Sequence, residues 1–269
     1  MLASTHSALA VLLPRSTEHF VSALLHRQRT LTLYAAAMLI LAVLTLAVMQ
    51  LDDRTVRDVN VWAKPFKFMV ATALFAVTTA WCMGVLPDTV RHSRLSTINV
   101  WILIITSLFE VVYITFQGAR GEGSHFNVGD PFHAIMFGLM GAAALALTGT
   151  QAVLASQIAT HTVKPMSGAV LGVVIGLALT FVLGTASGFM LSGRQPPAGV
   201  GLAFVGWHLG GGDTRPAHFL GIHAHQIVPI TGVMLQRFAP ARAVGGIVLF
   251  SVAYVFGWWF FVRMGLQRA

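Results

Sequence analysis

The chain has 269 residues, 56% hydrophobic and 10% charged, with a mean hydropathy of +0.75. A soluble domain carries about 25% charged residues, so most of this surface is expected to face something other than water. The net charge of +8, from 17 basic and 9 acidic residues, is scattered over connectors with no basic run interleaved with aromatics, which excludes a nucleic-acid surface and points to anionic lipid headgroups.

In chain order, residues 1–30 read as a polar or interfacial tail. Their one apolar stretch, "ALAVLLP", is too short for a secretory leader and lacks its flanks. Seven segments then reach the roughly 20 apolar residues that a helix needs to cross a hydrocarbon core. They are 31–51, 62–86, 98–118, 131–156, 166–192, 217–236 and 243–263. The expected fold is an all-α integral membrane protein, a seven-transmembrane-helix bundle forming one domain over 31–269. The expected location is multi-pass in a bacterial-type inner or plasma membrane. Arg15, Arg27 and Arg29 precede the first segment and favour a cytoplasmic N-terminus.

The second segment opens on "VWAKPFKF", with Lys64 and Lys67 at its mouth, and later holds Cys82, the one cysteine. A lone cysteine excludes an intrachain disulfide and a cysteine-built zinc or iron–sulfur centre within one chain. The third segment carries Glu110, the only acidic residue deep in any span. The fourth begins at Asp130–Pro131, a capping acceptor followed by proline at the first helical position.

The fifth segment repeats small residues every four positions, Gly168, Gly172, Gly176, Thr180, Gly184, Gly188 and Ser192. Such a stripe lets a neighbouring backbone approach closely. Packing within the bundle is its first reading and a homodimer face its second. The sixth segment contains "HFLGIHAHQIVP" and an internal proline, Pro229, expected to kink the helix. The seventh has no interior lysine, which excludes a retinal Schiff base.

Alternation places connectors 1, 3 and 5 on one face, and most of the unusual chemistry lies there. His218 and His225, seven positions apart, fall within roughly 20° on one helical face, whereas His223 points about 140° away from His218. Tyr113 and Gln117 share a side with Glu110 within about 60°. Counted from the segment ends, Glu110 and His225 both lie roughly 10 Å below the same surface, and His133 joins His218 nearer to it. Ionisable groups inside a bilayer mark sites by default.

These residues lead to a first expectation, a metal or haem centre in one leaflet. Its ligands come from His133, His218, His225 and Glu110, with His125, His208 and His223 in reserve. Imidazole with carboxylate suits iron, copper or zinc, and two imidazoles from different helices suit haem b. Lys64, Lys67, Arg120 and Arg215 would hold propionates or an anionic substrate. Gln117 and Gln226 would line the cofactor, and Glu110 with Tyr113 would serve catalysis. Such a centre would be a membrane-bound oxidoreductase acting on a lipophilic small molecule. The alternatives are a proton-coupled transporter that uses Glu110 and the histidines as a relay, or a structural membrane protein with no cofactor.

Overall fold

A computed structural model describes residues 12, 17–203 and 205–267. Seven long helices dominate: α1 (Thr17–Met49), α2 (Ala63–Met83), α4 (Arg94–Arg120), α5 (Pro131–His161), α6 (Gly168–Ser192), α7 (Arg215–Phe238) and α8 (Ala243–Leu266). A single-turn helix, α3 (Asp88–Arg91), sits in the second connector. Six of the long helices are long and apolar enough to cross a membrane. The exception is α7, whose histidines and glutamines dilute its apolar content.

Helix α1 begins at Thr17, inside the segment expected as a polar or interfacial tail. Its backbone breaks at Gln28 (φ −155°, ψ 88°), three residues before the expected start of the first span. The expected tail at 1–11 and 13–16 lies outside the described residues. Connector 1 contains a hairpin absent from the sequence reading, β1 (Thr55–Val56) and β2 (Val59–Asn60), joined antiparallel. Arg57 and Asp58 both take positive φ there, as a two-residue hairpin turn of this type demands.

Capping follows local chemistry. Asp130 accepts from the backbone N–H groups of Phe132 and His133, with Pro131 at the first helical position, as expected. Ser93 and Ser167 cap α4 and α6 in the same manner, and Gly121 closes α4 in the left-handed conformation.

The glycine stripe of α6 lies inside the bundle, against α7, which runs antiparallel to it. A Cβ at Gly176 would fall 2.6 Å from the Pro229 ring and 2.9 Å from the Ala224 carbonyl. One at Gly221 would meet the Gly184 and Leu183 backbone at 2.7–2.8 Å. Backbone contact of this kind is how helices pack when lipid removes the hydrophobic drive between them. Packing within the bundle, the first reading of the stripe, is what these contacts show. Pro229 stays within a continuous α7, its ring seated over Gly176.

A buried polar layer ties the helices at mid-bundle. The His225 backbone N–H donates to Thr180 Oγ1 (2.8 Å), and Gln226 Nε2 donates to Thr78 Oγ1 (3.2 Å). Thr79 and Gln151 pair across α2 and α5. At one end of the bundle connectors 1, 3 and 5 meet: Arg54 donates to the Ala119 carbonyl, Gly199 N–H to the Arg57 carbonyl, and Lys64 to Ser124. Alternation predicted this shared face.

Candidate functional site

At that face the first turn of α2 brings Lys64 towards connector 3. Its ammonium donates to Ser124 Oγ (2.9 Å) and lies 5.9 Å from the centre of the Phe68 ring. Ser124 Oγ is in turn 3.2 Å from His125 Nδ1. The His125 ring lies between Phe68 and Phe137. Burial, reinforced by the neighbouring Lys64 charge, pushes the His125 pKa well below its ordinary value. His125 is therefore neutral at neutral pH, able to accept a proton on one nitrogen while donating from the other.

Glu110 is buried on α4, within electrostatic reach of Lys64. Its Oε1 atom has no hydrogen-bond partner among the described residues. One helical turn deeper, Tyr34 of α1 pairs with Ser107 (2.8 Å). Gln117 donates to the Tyr113 hydroxyl (2.9 Å), and its own Oε1 is also unpartnered. Two orphaned acceptors on one face of α4 leave acceptor capacity that a proton, a water or a ligand donor would use.

The histidines expected to gather at one level are held apart by separate partners. His225 Nδ1 donates to the Ile222 carbonyl (2.8 Å), and its Nε2 accepts from Gln226 Nε2 (3.1 Å). Its ring stacks obliquely on Phe75 at 4.4 Å. Both nitrogens are thus engaged, and neither bonds Glu110, which the sequence places at the same depth. His133 has partners of its own: one nitrogen bonds Asp130, which caps the same helix, and the other bonds Glu122 (3.1 Å). It braces connector 3 at the surface.

His218 Nδ1 sits 3.3 Å from Ser187 Oγ. His223 bonds the Gln226 side chain (3.1 Å) and packs on Phe219. Among the described residues, no three His, Cys, Asp or Glu side chains gather to hold a metal ion. The ligand set drawn from the sequence is dispersed by these local bonds.

Arg120 pairs with Glu122 and lies over Phe116. Arg215 grips Asp213 through both Nε and Nη2, and donates to the Gly206 carbonyl (2.6 Å). Asp213, fully buried, also accepts from the His208 and Arg215 backbone N–H groups. This closes connector 5 (193–214) over the start of α7 and against Gly265 of α8. Burial pushes the Asp213 pKa up, and the Arg215 guanidinium with the two backbone donors outweighs that push, holding it below the ordinary carboxylate value.

A depressed folded-state pKa contributes stability at pH above the unfolded carboxylate range, and that stability is lost as pH falls through the lowered value. Asp213→Asn is expected to cost about 2 kcal/mol near neutral pH, the scale of hydrogen bonds to a charged group. It is also expected to flatten the acid limb of stability. Thermal unfolding in detergent across pH checks both.

Sequence reasoning missed Ser124 and Tyr34 as members of this site. Ser124 stood next to His125 in a connector already singled out; Tyr34 carried no signal beyond a hydroxyl in an apolar span. Comparison with family models, with curated proteins and with solved structures finds no match for this chain.

Proposed function

We propose that this chain is a proton-coupled membrane transporter in which α7 makes a seventh crossing and Glu110 is the protonatable coupling group. The observation that carries the reading is the buried Glu110 carboxyl. It has an unpartnered oxygen, and Lys64 acts on it at the foot of a hydrogen-bonded chain through Ser124 to His125. Intramembrane carboxylates and histidines that face a bundle interior are the usual parts of proton relays.

Lys64 plays two parts in this scheme. Its charge compensates an ionised Glu110, and its ammonium orders Ser124 towards His125 at the connector face. A proton arriving at connector 3 reaches Glu110 by way of these groups and intervening water. When Glu110 is protonated, the attraction between it and Lys64 weakens and the mouth of α2 is freer to move. The polar layer of Thr78, Gln226, His225 and Thr180 lines the route deeper into the bundle.

A metal or haem centre has weaker support, because both nitrogens of His225 and of His133 already have partners. Proteoliposomes holding the protein and an internal pH dye provide the test. Under an imposed inside-negative membrane potential, they are expected to acidify faster than protein-free vesicles. Equal rates with and without protein would overturn the reading.

A further inference from the structure

Lys64 and Lys67 occupy the second and fifth positions of α2, a helix with no acidic residue in its first turn. Local energetics oppose this placement. The helix N-terminus carries the positive end of the macrodipole and favours anions, and like charges three residues apart repel each other. Two lysines at the wrong end of a helix call for a negative partner.

The described protein supplies only part of it. Arg215 has Asp213, and Lys64 has the field of Glu110. Lys67 is exposed and makes no ion pair among the described residues. Yet it is not a stray surface lysine, because connector 5 passes directly over it. A Cβ on Gly206 would sit 3.8 Å from Lys67 Nζ, and the carbonyl of the same Gly206 accepts from Arg215. Gly206 has φ +76°, so a glycine is suited to this turn of the roof. Lys64, Lys67 and Arg215 lie within electrostatic reach of one another. The Arg215 fork is filled by Asp213, which leaves two ammonium groups as the donors on offer. Ammonium groups bind phosphate as point charges, whereas bidentate carboxylate recognition is the work of a free guanidinium.

We propose that Lys64 and Lys67, with Arg215 behind them and Gly206 as the roof, form a binding site for a phosphate group. That group belongs either to a lipid headgroup or to a soluble phosphate. The site shares Lys64 with the proton reading, whereas Lys67 has no place in the proton route, so Lys67→Gln is expected to weaken phosphate binding and leave proton uptake unchanged. Loss of one activity with retention of the other therefore tells the two apart.

The test uses the full chain in detergent. Native mass spectrometry follows titration with phosphatidylglycerol, and calorimetry follows titration with inorganic phosphate. Lys67→Gln is expected to weaken binding about tenfold, equivalent to about 1.4 kcal/mol. Arg237→Gln, an exposed cation at the far end of α7, is expected to leave it unchanged. Phosphatidylglycerol binding that inorganic phosphate does not compete away assigns a lipid headgroup. Binding of inorganic phosphate, or competition by it, assigns a soluble phosphate. The proposal is overturned if neither probe binds, if Lys67→Gln binds as the parent does, or if Arg237→Gln loses as much.

Discussion

Glu110→Gln is expected to lower protein-mediated proton uptake in proteoliposomes roughly a hundredfold, the scale seen when a positioned proton-transfer group is removed. Glutamine keeps the size and polarity of the side chain and removes only its ability to take and release a proton. The carboxyl sits on α4 with one oxygen unpartnered, so the substitution breaks no hydrogen bond at that atom. A folding defect is therefore not the expected outcome, and the variant should elute from a sizing column as the parent does. It also leaves Lys64 without its buried counter-charge. For that reason the double variant Glu110→Gln, Lys64→Gln is expected to recover any stability that the single variant loses, without recovering proton uptake. Uptake at parental rate in the single variant would remove Glu110 from the route.

The largest expected effect on stability is at Gly221→Ala. In an ordinary helix this change gains about 1 kcal/mol through helix propensity. Here the added Cβ would lie 2.7 Å from Gly184 N and 2.8 Å from the Leu183 carbonyl group. All three contacts are backbone atoms of α6, which cannot swing aside as a side-chain tip does. Forced overpacking costs about 1–3 kcal/mol and occasionally more, and the absence of a flexible neighbour puts this site at the upper end. A net loss of about 2 kcal/mol or more is expected, with α6 and α7 prised apart. Gly141→Ala is the matched comparison: it lies on exposed α5 surface with nothing within 4 Å of the new atom. It is expected to be neutral or slightly stabilising. Thermal unfolding of both in the same detergent measures the contrast, and equal shifts would contradict the close α6–α7 packing.

Several elements were legible in the sequence. The starts at Pro131 and Ala243 and the end at Ser192 fall where cap chemistry and hydropathy put them. Other ends overran the expectation: α4 to Arg120, α5 to His161 and α7 to Phe238. The reason is physical. Hydropathy measures the thickness of hydrocarbon to be crossed, and a helix continues beyond it into the headgroups as long as its backbone bonds persist. The hairpin at 55–60 escaped notice because its turn residues, Arg57 and Asp58, are not the usual glycine or asparagine.

For the site, residue type and depth were readable, whereas partners were not. Glu110, Lys64 and His125 could be named because charged or imidazole groups near a span are rare. Which of them meet depends on how each helix is rotated about its axis, and a single sequence leaves that rotation open. Matching depth put Glu110 level with His225, but His225 bonds Ile222 and Gln226, and Lys64 is the cation within electrostatic reach of Glu110. His133 is a different case. Its partners Asp130 and Glu122 lie three and eleven residues away in the chain, and the Asp130 contact is a local one that the capping pattern already implied. The polar layer had a signal that went unused. Amides inside apolar spans, at Gln117, Gln151 and Gln226, mark the inward faces as well as histidines do, because lipid would leave them unsatisfied.

The most direct test of the central claim is a pH titration of the infrared carboxyl stretch in the intact protein, embedded in lipid nanodiscs. A protonated-carboxyl band that appears and disappears with pH, and is missing from Glu110→Gln, is the predicted result. An identical titrating band set in parent and variant would contradict the claim that Glu110 exchanges a proton within the bundle.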